Sequence, residues 1–320
     1  MMTDYIYSWG YRIDVKNGKT IFKDRNNRRI IGEDLIGIRG EGSISTIALK
    51  QLIKNGIEIS ILSNKGFSKI YCGNSKFKKL NLKLLEAYLN PKIRMKFISE
   101  ILNAATIHKI WILKTYNINS NLIDKFKSEA KILLSKLKNS IEYLSIEAQI
   151  ARKYYELLKN IIPIEIGFKG RIKRPPRDLF NSLISYGNTY LYNLISFMLK
   201  IHGFDVRIGL IHKPFRKRIS LAIDMAENFR QIIVDSAALS IVTTKSFKPK
   251  IHYLIDRNTV YLTKRGRRNF LKLIRFKIYE SKVHGETIYD HIHNQIHSLE
   301  NFLIKNRDFK AFKILPNLLQ

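Results

Sequence analysis

The chain has 320 residues, with 57 Lys and Arg against 26 Asp and Glu and a formal net charge of +31. Apolar residues make up 45%, with 16 Gly and 7 Pro, which excludes disordered and collagen-like classes and leaves material for about two globular domains. So large a cationic surplus favours a polyanionic partner, nucleic acid before an anionic membrane surface, although the Ile-, Lys- and Asn-rich composition allows part of it to come from nucleotide bias.

Residues 1–75 read as short strands with turns. Tyr5, Tyr7 and Tyr11 to Val15 alternate with polar positions, and Asn17-Gly18 is a hairpin signal. Ile30-Ile31-Gly32, Leu35 to Ile38 and Ile57 to Leu62 are further β-branched runs. A helix is expected over Ser43 to Asn55, with Ser45 as cap and Gly56 after its end. From Leu80 the period becomes helical: a segment stopping at Pro91, then Ile93 to Lys114 and Ile123 to Leu158. Pro163, Gly167 and Gly170 open a loop that ends in Arg174-Pro175-Pro176-Arg177. Helices are expected over Asn181 to His202, with Gly203 at its C-terminus, and over Met225 to Val242 and Gly266 to Ile304. The fold expected is α+β: a β-rich, sandwich-like domain (1–78) followed by a larger all-helical domain (79–320).

Cys72 is the only cysteine, so an intrachain disulfide and a Cys-based metal site are excluded, and a single thiol fits a reducing cytoplasm. Met1 to Arg12 lacks the shape of a signal peptide. No run of 18 apolar residues suggests a membrane span, so the expectation is a cytoplasmic protein with no membrane partner. The charge is uneven: residues 1–75 hold 12 Lys and Arg against 7 acids, and residues 76–320 hold 45 against 19. A polyanion would therefore meet mostly the helical part, unless these cations are simply solvated helix faces.

With acids scarce, those set among apolar neighbours are informative. Glu147 lies in a weakly polar helical stretch, where a buried carboxylate needs a cation or a metal; a place at the helix edge is the plainer alternative. Arg152 is a possible local partner, although on another face. Asp224 and Glu227, three residues apart, would share a helix face and repel, with His212 just upstream. One imidazole with carboxylates suits Mn²⁺ or Mg²⁺ better than structural zinc, and such an ion amid cations suits phosphodiester chemistry. Arg171, Arg174 and Arg177 lie on a loop stiffened by two prolines, and Arg216, Lys217 and Arg218 form a second basic cluster; both can hold phosphates. His291, His293 and His297 look metal-like but lack a neighbouring HExxH glutamate, and a helix face near a phosphate backbone is the better reading.

Three blocks together resemble the CRISPR-associated endonuclease and integrase of spacer acquisition, the Cas1 family. They are Ile146-Glu147 to Tyr155; Gly170-Arg171 to Arg177-Asp178, continuing through Asn181 to Gly187; and Gly203-Phe-Asp205 through His212 to Asp224, Glu227, Arg230 and Val234-Asp235. Weaker similarity covers Ile47 to Leu62 and Thr259 to Arg268, and Asn188 and Ala226 are modest departures. The resemblance implies Glu147, His212 and Glu227 as metal ligands, with Asp224 beside them either as a fourth ligand or behind them. It implies a homodimer formed through the β-rich domain, two such dimers flanking a dimer of the small Cas2 protein in a heterohexamer, and insertion of short DNA into a CRISPR array. It also implies action on double-stranded and branched DNA. Two alternatives stand beside it: a mobile-element integrase or repair nuclease on the same scaffold, and a non-catalytic basic protein that coats nucleic acid. The Asp224/Glu227 pair below His212 argues against the last, because bare carboxylates weaken binding to phosphates.

Overall fold

The computed structural model describes residues 4–25, 28–31, 35–55, 57–63, 66–70, 76–137 and 140–314. Gly32, Gly56 and Cys72 of the sequence reading lie outside them. Two compact units are present: Met1–Leu82 with Lys200–Phe204, and Lys83–Leu199 with Asp205–Gln320.

The first unit holds two four-stranded sheets. One has the order β1 (Asp4–Tyr7), β5 (Leu35–Arg39), β7 (Glu58–Ser63), β8 (Gly66–Ile70), parallel except for the last pair. The other has the order β4 (Arg28–Ile31), β3 (Lys19–Lys23), β2 (Tyr11–Lys16), β6 (Gly42–Ile44), antiparallel except for β2 with β6. The β2–β3 hairpin turns at Asn17 (φ 52°) and Gly18 (φ 73°), the two left-handed residues that an Asn-Gly hairpin turn requires. Helix α1 (Thr46–Lys54) starts at Ser45, whose Oγ accepts from the Ala48 N–H at 3.1 Å. Its Ala48 and Leu52 join Ile13 and Phe22 from one sheet and Ile38 and Ile59 from the other in a single core. The alternation of β2, with Tyr11 and Ile13 buried and Arg12 exposed, turns its apolar face to that core.

The second unit is helical. After α2 (Lys76–Leu89), Asn90 caps α3 (Pro91–Thr115), accepting from Lys92 and Ile93 N–H, and Pro91 occupies the first turn where its missing N–H costs nothing. Helix α3 is buried nearly all round from Ile101 to Leu113, so it runs through the core rather than over it. The helix expected over 123–158 is two, α4 (Ser120–Ser135) and α5 (Ser140–Leu158), and α5 packs on both α3 and α4. Helix α6 (Leu179–Ile201) ends before Gly203 (φ 88°).

The expected helix 225–242 is also interrupted. It consists of α7 (Ser220–Ala226), a π-helical turn (Gln231–Asp235) and α8 (Ser236–Thr243). The segment expected as one helix over 266–304 is α9 (Lys264–Tyr279), a small hairpin β11–β12 (Lys282–Val283, Glu286–Thr287) and α10 (Ile288–Lys305). A further hairpin, β9 (Tyr253–Asp256) with β10 (Thr259–Leu262), precedes α9.

After α10 the chain runs back as an extended strap, 306–314, over α3 and α10. Phe309 sits between Phe97 and Phe302, at 4.6 and 6.1 Å between ring centroids. Phe312 stacks on His291 at 4.0 Å and on Phe229 at 5.8 Å.

Candidate active site

The turn that carries His212 is built around Asp224. Residues 207–212 form no strand; they turn tightly over α7, with the Leu221 N–H donating to Val206 O at 2.9 Å. The Asp224 carboxylate is fully buried and accepts from Ile211 N–H (2.8 Å), His212 N–H (3.2 Å) and His212 Nδ1 (2.6 Å). Gly209 makes room for this, since a Cβ there would meet His212 O at 2.6 Å and Asp224 Oδ2 at 2.7 Å. An ionised Asp224 can only accept, so the proton of the ring lies on Nδ1 and the lone pair of Nε2 is left for an external partner.

Asp224 and Glu227 keep the i, i+3 helical spacing, with the Glu227 N–H reaching Asp224 O at 3.4 Å, but their carboxylates take different partners. Helix α7 stops at Ala226, Asp224 turns to the 211–212 backbone, and Glu227 turns to Arg230, whose Nη1 lies 2.6 Å from Glu227 Oε2. The carboxylate that feels the charge of Glu227 is Glu147, one turn after the buried Tyr143 on α5. Burial and the charge of Glu227 both push the Glu147 carboxyl above its ordinary pKa, against Lys109, Arg230 and Lys173. Burial works the same way on Glu227, but Arg230, Lys109 and His212 outweigh it and hold that carboxyl below the usual range. Tyr143 is raised well above its ordinary value by burial and then by the negative charges of Glu227 and Glu147. Glu227 Oε1 is buried and has no hydrogen-bond partner among the described residues.

Glu147, His212 and Glu227 thus lie in one electrostatic neighbourhood, with Asp224 behind the imidazole. The cations that accompany Glu147 are Lys109, Arg230 and Lys173, while Arg152 is exposed. Lys109, on α3, is buried; desolvation lowers its pKa, and Glu227 and Glu147 raise it. Sequence reasoning passed over Lys109, whose only signal was a His-Lys pair inside an otherwise apolar helix.

The basic loop is anchored at its ends. Arg171 donates to Ile172 O (3.0 Å), Asn181 Oδ1 (2.9 Å) and Ser185 Oγ (3.1 Å), and Asp178 receives the Asn181 N–H at 2.8 Å. Arg171 therefore spends its guanidinium holding the loop to α6. Lys173, Arg174 and Arg177 are exposed, as are Lys213, Arg216, Lys217 and Arg218. Of the three histidines on α10, His291 bonds through Nε2 to Val283 O at 2.8 Å, and His293 and His297 meet edge to face at 4.6 Å.

A family profile described as CRISPR associated protein Cas1 matches residues 5–275. The chain belongs to the Cas1 family. Its similarity to a CRISPR-associated endonuclease Cas1 of Clostridium perfringens is 29% identity over 332 aligned positions, covering 97% of this chain and 98% of the relative. Among solved structures, a casposase bound to integration product superposes with a TM-score of 0.84 at 20% identity, over 97% of this chain and 98% of the other. A chain of a partial Cas6-RT-Cas1–Cas2 complex superposes with a TM-score of 0.77 at 20% identity, over 98% and 100%. The last two likenesses show the Cas1 fold: a β-rich unit followed by a mainly helical one. Curated members that the chain resembles carry the name CRISPR-associated endonuclease Cas1.

Proposed function

We propose that the chain is a divalent-metal-dependent DNA endonuclease and integrase that inserts short DNA into a CRISPR array, with Glu147, His212 and Glu227 as metal ligands. One observation carries the reading: two carboxylates that raise each other's energy lie beside an imidazole whose Nδ1 is fixed by a buried aspartate. The residues fit such an ion. Glu227 Oε1 is buried without a partner among the described residues, and oxygen donors with one imidazole suit Mn²⁺ or Mg²⁺. A bound divalent cation supplies charge neutralisation at a phosphate oxygen and favours the departing oxyanion.

The chain's own groups do the rest. Asp224 fixes the His212 ring from behind, a role that its three hydrogen bonds favour over direct ligation. Arg230 and Lys109 keep Glu227 ionised. Exposed Arg174, Arg177, Arg216, Lys217 and Arg218 hold backbone phosphates without reading bases, and Arg171 shapes the loop that presents the first two. A 3′-hydroxyl of the incoming DNA bonds to the target phosphorus as the bond to the target strand's 3′-oxygen breaks. In cleavage, water takes the place of that hydroxyl.

Residues 1–78 serve as the dimerisation domain and 79–320 as the catalytic one, in a homodimer that joins Cas2. The partial Cas6-RT-Cas1–Cas2 complex among the structural neighbours supports the Cas2 arm. The casposase likeness keeps a mobile-element integrase as the second reading; a CRISPR array beside the gene decides between them.

Purified protein with branched DNA tests the site. Mn²⁺ should support cutting and strand transfer, EDTA should abolish both, and Glu147→Ala or His212→Ala should do the same while leaving the circular dichroism unchanged. Full activity of both variants overturns the assignment.

A further inference from the structure

Helix α9 differs from the other charged helices in what its cations touch. Elsewhere in the helical unit several lysines meet carboxylates: Lys83 with Glu86, Lys153 with Glu129, Lys159 with Glu156, Lys245 with Glu165 and Lys313 with Glu100. Helix α9 carries seven cations, Lys264, Arg265, Arg267, Arg268, Lys272, Arg275 and Lys277, and no acid between Lys264 and Tyr279. None of the seven makes an ion pair among the described residues, and most of them are exposed. A helix face that is merely solvated gains from interleaved acids at i, i+4. Seven uncompensated cations on four turns repel one another in the free protein, and that repulsion is relieved by a polyanion.

The placement is as informative as the charge. Gly266, Phe270, Ile274 and Ile278 form the buried stripe, so the helix is fixed along its length. Phe270 and Ile274 pack where Gly187 of α6 meets Val234 of the π-helical turn. On the outward side, Lys264, Arg268, Lys272 and Arg275 fall at i, i+4, i+8 and i+11, one line about 16 Å long at 1.5 Å per residue. The hairpin β9–β10 leads into this helix, and the Val260 N–H donates to Pro176 O at 2.9 Å, which ties the hairpin to the basic loop. That loop presents Arg174 and Arg177. Near the far end, exposed Phe276 and Tyr279 border a shallow cleft with Lys272, Arg275 and Glu280, the acid that follows the helix.

We infer that the outward line of α9 is a second phosphate-binding track, along which a duplex arm of the DNA substrate lies after leaving the catalytic centre over the basic loop and the β9–β10 hairpin. This rests on the reading of the chain as a DNA-processing enzyme and extends it to where the duplex goes. A line of about 16 Å spans on the order of five base-pair steps along a duplex axis at 3.4 Å each. Four of the seven cations are arginines, whose planar fork suits phosphate oxygens. The track sets register and affinity, not sequence preference.

The test is a set of equilibrium titrations on the full chain. The variant Lys264→Gln/Arg268→Gln/Lys272→Gln/Arg275→Gln is compared with wild type and with Lys114→Gln/Lys125→Gln/Lys131→Gln/Lys136→Gln, which removes the same charge from exposed positions on and after α3 and α4. Each binds branched DNA whose arms are either a few base pairs or about 20 base pairs, two helical turns, over a range of salt. For long arms the α9 variant should bind at least about tenfold more weakly at about 0.1 M salt, and its slope of log affinity against log salt should shrink by about 0.9 for each phosphate it no longer neutralises. For short arms it should match wild type, and the control should stay near wild type on both.

Equal binding of long arms by the α9 variant and wild type overturns the track and leaves the catalytic reading standing. An equal loss in the control overturns it as well, because net charge then suffices. Wild type that binds vesicles of phosphatidylserine through α9, but no DNA, overturns both readings.

Discussion

Asp224 shows how much one residue can be asked to do. It has no exposure, yet it receives three hydrogen bonds from two consecutive residues, so its charge is neutralised by donors rather than by a counter-ion. Replacing it with Asn removes an acceptor from the His212 ring and frees the ring to change tautomer. Asp224→Asn should weaken Mn²⁺ affinity by about 10- to 100-fold, the range for loss of a carboxylate behind a ligating imidazole; calorimetric titration with Mn²⁺ measures this.

His108 bears on stability at the same scale. Its Nδ1 donates to Asn228 O and its Nε2 accepts from the Ile314 N–H at 3.0 Å, so only the neutral ring satisfies both partners. Burial, first among the causes, lowers its pKa to about 3. The unfolded chain takes up that proton near pH 6.5 and the folded chain refuses it, so this contribution is complete above about pH 6.5 and is lost as pH falls toward 3. Between about pH 6.5 and about pH 5 the loss should be about 2 kcal/mol. Urea unfolding at the two pH values checks it, and His108→Gln should flatten that part of the pH dependence.

Among the elements, the accuracy of the sequence reading followed the local chemistry. The Asn17-Gly18 turn, the Ser45 cap and the break at Pro91 were legible because each rests on a side chain that acts within a few residues of its own position, although Pro91 opens α3 rather than only ending the segment before it. The β9–β10 hairpin was not, because its left-handed turn positions are filled by Arg257 and Asn258 rather than by Gly. The break in 225–242 was hidden because apolar residues continue through it, whereas the break in 266–304 falls in Glu280 to Thr287, a polar stretch with Val283 as its one apolar residue, which the helical reading overran. The first is interrupted by a turn at Glu227 to Phe229 and the π-helical turn, and the second by the β11–β12 hairpin, which turns at His284 and Gly285, both at positive φ.

The strap was equally invisible, since long-range polar bonds hold it. Gln295 accepts from the Phe312 N–H and from Asn228 Nδ2, and donates to Met225 O and to Asn228 Oδ1. Gln295→Ala leaves buried groups on α7, Asn228 and the strap unpaired. It should cost about 2–4 kcal/mol in chemical unfolding, as the loss of a buried network does. Since Asn228 follows Glu227 directly, this network also steadies the backbone that presents the proposed ligand.

Across the whole molecule, the charge and the α+β order were readable from composition and period. The candidate site was readable only in parts, because its residues belong to α5, to a turn and to the end of α7. The local i, i+3 rule pairs Asp224 with Glu227, and the fold adds Glu147, 80 residues away in sequence, whose carboxyl feels the charge of Glu227. Lys109 and Arg230 enter that cluster from two further elements. Such convergence depends on packing that no local pattern encodes.

Whether these groups hold one divalent ion is tested most directly in crystals soaked in Mn²⁺ and measured at the manganese absorption edge. A single strong anomalous peak per chain is expected, in contact with Glu147, Glu227 and His212 Nε2, with Asp224 outside the coordination sphere. A peak elsewhere with those side chains bare, or no peak at saturating Mn²⁺, would contradict it.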